Sequence, residues 1–146
     1  MKSIDSGAYS IHFNEHCYVE LNSFLESSNF SNIFIFVDIN THEYCLPTFL
    51  SNISYSCELE IIEMEAGEHH KNLDTCTQVW HTLSELDADR KSLLINLGGG
   101  VVTDLGGFVA STFKRGISFI NVPTSLLAMV DASVGGKTGV DLGGLK

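Results

Sequence analysis

The sequence has 146 residues, of which 44% are hydrophobic and 18% charged, a balance typical of one globular domain and not of a disordered chain. Its net charge of -10 argues against nucleic acid or an anionic membrane surface as the main partner. No apolar run is long enough to span a bilayer, and the opening MKSIDSGAYS lacks the apolar core of a signal peptide. The four cysteines form no CxxC pair, so we expect reduced thiols in a cytoplasmic protein.

The N-terminal part carries one strong pattern after two weak ones. Brief alternation predicts short strands at residues 10–13 and 17–21, and a helix starting at residues 21–25. Residues 33–37 (IFIFV) predict a strand buried on both faces, as in a parallel sheet. Asp38 follows this strand directly. An acid there is typical of a ribose-binding group, and a helix cap is the competing interpretation.

The middle of the sequence alternates between helix and strand patterns. Residues 42–53 have helical spacing with Pro47 in the first turn, residues 59–64 predict a strand, and residues 72–86 predict an amphipathic helix. The side chains expected to point inward from the last helix are Cys76, Val79, Trp80 and Leu83. Between these elements lies a polar loop, residues 66–71. Its adjacent histidines point different ways on any regular element, which favours a solvated loop over a metal site.

Three consecutive glycines mark the start of the most informative stretch. An apolar strand at residues 92–97 meets Gly98, Gly99 and Gly100, a helix follows, and a second strand at residues 117–122 completes a βαβ unit. The glycines let a ligand approach the backbone, and a helix N-terminus favours anions. We expect Asp104 in the first turn of this helix, where it would repel a bare phosphate but accept hydrogen bonds from hydroxyl groups.

Two common nucleotide motifs are not met. Thr103 stands where the dinucleotide fingerprint G-x-G-x-x-G needs its third glycine, and Asp131 stands where a P-loop needs its first. The second strand leads to the hydroxyls of Thr124 and Ser125, and a short helix at residues 125–130 leads to Asp131. Lys137 follows, flanked by glycines. It is either a clamp for a phosphate or carboxylate or a solvated loop lysine. The whole alternation predicts an α/β fold with a mainly parallel sheet and no internal linker.

Two segments, GGGVVTDLGGFVASTFKRG and INVPTSLLAMVDASVGGKTGVD, closely resemble the 3-dehydroquinate synthases, which are sugar phosphate cyclases. The resemblance implies a Rossmann-like, mainly parallel sheet flanked by helices, forming the NAD-binding N-terminal domain of a two-domain fold. It also implies a phosphorylated sugar-acid substrate, 3-deoxy-D-arabino-heptulosonate 7-phosphate, and the products 3-dehydroquinate and phosphate, on the shikimate pathway. A divalent metal (Zn or Co) and a homodimer are further implications.

The resemblance also assigns roles to residues. Asp38 is similar to the family's ribose-binding acid, and the glycine turn is similar to its pyrophosphate-binding turn. The residues implied at the cofactor are Asp38, Gly67, Glu68, His69, His70, Lys71, Gly99, Gly100, Val101, Val102, Thr103, Asp104, Thr124, Ser125, Lys137 and Lys146. The residues implied at the substrate, as catalytic groups, are Arg115, Asp131 and Lys137.

The family's metal ligands, a Glu and two His, have no counterpart in this sequence. None of the six histidines lies in a family ligand motif, so we expect no metal site in residues 1–146 and no turnover by this chain alone. The sequence stops inside a Gly-rich loop, and we therefore expect a truncated two-domain protein whose helical, metal-binding C-terminal domain is absent. A different sugar phosphate cyclase and a non-catalytic NAD-binding module remain the alternatives.

Overall fold

The computed structural model describes residues 3–55, 58–143 and 145. A small antiparallel hairpin comes first, and the main sheet follows. The strands of the described residues are β1 (Ile4–Asp5), β2 (Ser10–Ile11), β3 (Ile33–Asp38), β4 (Leu59–Met64), β5 (Leu93–Gly98) and β6 (Ser118–Pro123). Strands β3 to β6 pair in parallel in the order β4-β3-β5-β6. The predicted α/β fold with a parallel sheet is therefore confirmed.

Helices connect the strands on both faces of the sheet. The α-helices of the described residues are α1 (His16–Ser27), α2 (Ile39–Tyr44), α3 (Leu46–Ser51), α4 (Leu73–Glu85) and α5 (Gly100–Thr112). Shorter helical turns cover Glu68–His70, Phe113–Arg115 and, in π geometry, Ala128–Ala132. In the part of the chain that is described, each helix is too short or too polar to cross a bilayer.

Strand β3 is the centre of the core because both of its faces are covered. Ile33, Ile35 and Val37 face a cluster that includes Leu25 of α1 and Phe49 of α3. Phe34 and Phe36 face the opposite cluster, which α4 and α5 complete with side chains such as Val79 and Leu105. All five apolar residues of the strand are buried, as predicted for a strand with two covered faces.

Two predicted elements differ from the structure. Residues 17–21 were predicted as a strand but lie in α1, because Tyr18, Leu21 and Leu25 repeat with a helical period and pack together against the core. The helix predicted at residues 42–53 is two helices. Pro47 lies at the start of α3, and since it has no N–H to continue the bonding of α2, the chain begins a new helix there.

Candidate functional site

The order of the strands reverses between β3 and β5, and a ligand-binding crevice is expected at this point. The chain leaves β3 toward β4 on one side and leaves β5 toward β6 on the other side. Ligands of open α/β sheets bind at such a reversal, outside the carboxyl ends of the strands. The strands are parallel, so these ends share one side of the sheet, which we call the carboxyl edge. Asp38 ends β3 and Gly98 ends β5 at this edge.

The glycine turn brings the N-terminus of α5 to the carboxyl edge. A Cβ on the buried Gly98 would lie 2.5 Å from the Cβ of Val102, so only glycine lets the helix start so close to the strand. The N-cap of α5 is Gly99, and no described side chain caps the helix. The first amides of α5 are therefore available to an anion, and the helix dipole favours one.

The predicted residues of this turn differ in what they can offer a ligand. The side chains of Val102 and Thr103 are fully buried. The Thr103 hydroxyl donates a hydrogen bond to the Gly99 carbonyl over 3.1 Å, so it stabilises the turn from inside. Gly99, Gly100 and Val101 are partly exposed. Binding at this turn therefore depends on backbone groups, with Val102 and Thr103 in supporting positions.

Asp38 is both the last residue of β3 and the N-cap of α2. Its Oδ1 accepts a hydrogen bond from the Thr41 amide over 2.8 Å, and its own amide donates to the Thr41 hydroxyl over 3.0 Å. The capping interpretation is thus correct. Capping engages one carboxylate oxygen and fixes the orientation of the group at the crevice, which is compatible with the predicted role at a ribose.

Lys71 joins the polar loop at residues 66–71 to α5. Its ammonium lies 2.8 Å from Glu68 Oε1 and 3.4 Å from Asp104 Oδ2. Burial alone would lower the pKa of Lys71, but the two carboxylates outweigh burial and the pKa is raised. Burial raises the pKa of Asp104, an effect that Lys71 partly opposes. Asp104 was predicted in the first turn of α5. It lies in the second turn, because the helix begins at Gly100. Paired with Lys71, it repels an anion less.

The Gly-rich segment at residues 135–141, which we call the Lys137 segment, packs against α5. The Thr138 methyl occupies the space above Gly107, where a Cβ would meet it at 2.4 Å. The Gly139 amide donates to the Asp104 carbonyl over 3.3 Å, and the Asp141 amide donates to the Lys71 carbonyl over 2.8 Å. Lys137 itself pairs with Asp131, and both side chains are exposed. The segment therefore links Lys137 to α5 and to the Lys71 loop.

Thr124 and Ser125 connect β6 to the glycine turn. The Thr124 amide donates to the Gly98 carbonyl over 3.0 Å, and the Ser125 hydroxyl accepts a bond from the Ala128 amide over 3.3 Å. A Cβ on Gly99 would point at the Ser125 hydroxyl. Asp131 was predicted to follow a short helix at residues 125–130. It lies within the helical turn instead, because that turn continues to Ala132.

The remaining predicted residues lie away from the glycine turn or outside the described residues. Arg115 follows α5 and precedes β6, so it lies at the amino edge of the sheet, opposite Lys137. The rings of His69 and His70 are in tilted contact, with centroids 4.0 Å apart. The His69 ring lies over Gly67, whose φ of 121° favours glycine, and His70 lines a cavity between β4 and α4. Lys146 lies outside the described residues. No cluster of three potential metal ligands occurs in the described part of the chain.

The sequence did not indicate two contacts of the Lys137 segment. One is the contact between Thr138 and Gly107; a glycine inside a helix can mark such a close approach, but the sequence does not name the partner. The other is a hydrogen bond from the Gly135 amide to the hydroxyl of Tyr9, over 2.7 Å and 126 residues of sequence. No pattern in the sequence pointed to it.

The family model described as 3-dehydroquinate synthase N-terminal matches residues 61–146, which is more than half of the chain. The chain belongs to the 3-dehydroquinate synthase family. A 3-dehydroquinate synthase from Parabacteroides distasonis is 50% identical over 127 residues, which cover 87% of this chain and 36% of that relative. The family matches the resemblance that the glycine and lysine motifs indicated.

Solved structures of related synthases share the fold. A 2-deoxy-scyllo-inosose synthase, complexed with carbaglucose-6-phosphate, NAD+ and Co2+, has a TM-score of 0.83 and 25% identity, covering 97% of this chain and 40% of that one. ValA, a 2-epi-5-epi-valiolone synthase from Streptomyces hygroscopicus subsp. jinggangensis 5008 with NAD+ and Zn2+ bound, has a TM-score of 0.71 and 26% identity, covering 81% and 35%. The chain therefore spans between a third and two fifths of these 3-dehydroquinate synthase relatives and neighbours.

Proposed function

We propose that residues 1–146 are the NAD-binding N-terminal α/β domain of a 3-dehydroquinate synthase. The whole enzyme would convert 3-deoxy-D-arabino-heptulosonate 7-phosphate to 3-dehydroquinate and phosphate, in the shikimate pathway that leads to aromatic amino acids. The observation that carries the proposal is the carboxyl edge, where an acid, Asp38, and the uncapped N-terminus of α5 lie at the ends of neighbouring strands. The Lys137 segment packs on the same helix, α5. Membership of the family supports it.

The residues present fit a dinucleotide. The free amides of α5 suit its pyrophosphate, and the Asp38 carboxylate suits the hydroxyls of its adenosine ribose. A cavity of about 250 Å³ lies beyond Asp38 and is lined in part by Ile39, Met64 and Val79, which suits the adenine ring. The same carboxylate would repel the 2′-phosphate of NADP, so we expect a preference for NAD. Bound NAD supplies reversible hydride acceptance.

The remaining site residues would act on charge and position. Lys137 would bind the phosphate of the sugar-acid substrate, and Asp131 would hold the ammonium in place before the substrate arrives. Lys71 would keep Asp104 paired, so that the cofactor's phosphates meet little repulsion. Asp104, Thr124 and Ser125 would face the hydroxyls of the cofactor or substrate. Within one chain, Arg115 lies too far along the sheet to join this group.

The other parts of the active site would come from a second domain. We propose that this domain is helical and supplies the ligands of a divalent metal, zinc or cobalt, because the neighbours bind NAD+ with Co2+ or Zn2+. The residues described here hold no cluster suited to a metal. We further propose a cytoplasmic homodimer, and no turnover by this chain alone.

Calorimetric titration of NAD into the chain tests the proposal, and two variants separate binding from folding. Asp38→Asn keeps a good helix cap but removes the charge, and we expect NAD affinity to fall roughly tenfold, as for a lost charge-assisted hydrogen bond. Thr41→Val removes the reciprocal capping bond but keeps the carboxylate. It should lower thermal stability and leave NAD affinity nearly unchanged. Equal affinities for wild type and Asp38→Asn would show that Asp38 is only a cap.

A second candidate is another sugar phosphate cyclase, which the match to 2-deoxy-scyllo-inosose synthase favours. Assays of the full-length protein with several sugar phosphates distinguish the two, since both would bind NAD in this domain. Conversion of 3-deoxy-D-arabino-heptulosonate 7-phosphate in preference to glucose 6-phosphate supports the first candidate. The reverse preference would replace it.

A further inference from the structure

The N-terminal hairpin contacts the segment that carries Lys137. The Gly135 amide donates a hydrogen bond to the Tyr9 hydroxyl over 2.7 Å. Tyr9 lies just before β2, where its amide and carbonyl are both bonded to Ser6. The turn of the hairpin therefore holds the backbone of Tyr9 in place. The family model begins at residue 61, so this hairpin lies outside the part of the chain that it matches.

The Tyr9 hydroxyl bonds to the Lys137 segment at two consecutive glycines that have no side-chain packing of their own. Gly135 and Gly136 have φ angles of 81° and 69°, a turn that glycine adopts readily and in which neither residue has a side chain to pack. On the other side of Lys137, Thr138 packs against Gly107. Lys137 thus lies between two anchors, one from the hairpin and one from α5.

We propose that Tyr9 is a positioning residue for Lys137. By fixing the turn at Gly135, its hydroxyl would hold the lysine backbone at the carboxyl edge, so that less freedom is lost when the ammonium binds an anion. The inference rests on the proposed role of Lys137 in binding substrate phosphate. It adds a residue from the hairpin to a site otherwise built from residues 38 onward.

Titration of inorganic phosphate, followed by amide NMR shifts, tests this with site resolution. The amides of residues 135–139 report the lysine segment, and those of residues 99–102 report the N-terminus of α5. Tyr9→Phe removes only the hydroxyl. We expect phosphate affinity at residues 135–139 to fall roughly threefold to tenfold, the worth of one hydrogen bond, with no change at residues 99–102. Exchange of the Gly135 amide with solvent should become faster. Tyr44→Phe, at a residue that is 72% exposed, is the matched control.

A double-mutant cycle with Lys137→Met distinguishes positioning from general damage. If Tyr9 acts through Lys137, Tyr9→Phe has no further effect on phosphate affinity once the ammonium is gone. If Lys137→Met weakens phosphate binding but Tyr9→Phe does not, Tyr9 has no positioning role and the proposed role of Lys137 stands. If Lys137→Met leaves the affinity unchanged, the proposed phosphate role of Lys137 is wrong, and the inference about Tyr9 is overturned with it.

Discussion

Asp104 lies under two opposing influences, and their balance decides how the site treats an anion. Burial raises the pKa of its carboxyl, and Lys71 lowers it. The net pKa is raised, so part of the cost of burying the charge is not compensated. Lys71 is shared with Glu68, which lies closer to its ammonium than Asp104 does. The charge of Asp104 in α5 therefore depends mainly on Lys71, and Lys137 also lowers its pKa.

Replacement of Lys71 should raise the pKa of Asp104 further. The ammonium of Lys71 lowers the pKa of Asp104, and Lys71→Met removes this effect. Lys71→Arg keeps the positive charge and should change the Asp104 pKa little. Carboxyl 13C NMR titration measures both. An unchanged Asp104 pKa in Lys71→Met would show that the ion pair is absent in solution.

The same shift predicts how stability depends on pH. The folded pKa of Asp104 is above its ordinary value of 3.8, so the folded state binds more protons than the unfolded state between these two values. The contribution of Asp104 to stability is therefore greatest below 3.8 and is lost as pH rises through the folded pKa. The free energy of unfolding of wild type, minus that of Asp104→Asn, should fall across this interval in urea titrations. A rise would contradict the assignment.

At the level of elements, the fit of α5 on the sheet sets the place of its N-terminus. A Cβ on Gly106 would lie 2.0 Å from Oδ1 of the fully buried Asn96 on β5. The Asn96 amide group donates to Asn121 Oδ1 over 2.9 Å, which keeps the side chain in this position. The close approach of helix and strand brings the glycine turn to the carboxyl edge.

Gly106→Ala should therefore destabilise the fold by about 1–3 kcal/mol, because overpacking exceeds the gain in helix propensity. Gly139→Ala, which meets no atom within 4 Å, is the matched control and should change stability little. Asn96→Ala removes the obstacle, so the double variant with Gly106→Ala should be less destabilised than the sum of the single variants. Urea unfolding followed by the fluorescence of Trp80, which packs against Phe108 of α5, gives all four values. Strict additivity would show that the two side chains do not compete for space.

Elements with a strong period could be predicted from the sequence, and weak ones could not. The unbroken apolar run of β3 and the βαβ unit around Gly98 were correct because burial on both faces leaves a clear pattern. The segment at residues 17–21 is too short to separate periods of 2 and 3.6, and only its packing with Leu25 decides for a helix. Pro47 was placed correctly in a first turn, but the break before it was not predicted.

The site was predictable where it follows from strand ends and unpredictable where it depends on long-range contacts. Asp38 and the glycine turn meet because parallel strands end at one edge. The pairing of Lys71 with Asp104 and of Tyr9 with Gly135 joins segments distant in sequence, which no local pattern encodes. Arg115 lies at the opposite edge because it precedes β6, whereas Thr124 follows the same strand. A match to a sequence motif does not show that a strand separates the two residues.

At the scale of the whole molecule, apolar side chains are concentrated on the surface beside the lysine segment. Leu126, Leu127 and Val130, which follow Thr124, are 76%, 69% and 65% exposed. Leu142, near the other end of that segment, is 60% exposed. Several exposed large apolar side chains on one short helical turn are typical of an interface. Their position next to the proposed phosphate-binding residues places that interface at the mouth of the crevice.

We expect the isolated chain to self-associate through this surface. Light scattering at increasing concentration should show a mass that rises above that of the monomer, because burying exposed leucines yields roughly 25 cal/mol per Å². The double variant Leu126→Ser and Leu127→Ser should remove most of this rise. Val19→Ser, at a residue of α1 that is 63% exposed, should not. NAD affinity should be unchanged in the double variant, since neither leucine is among the residues assigned to the cofactor. A wild-type chain that remains monomeric at high concentration would show that these side chains are not sufficient to form an interface by themselves.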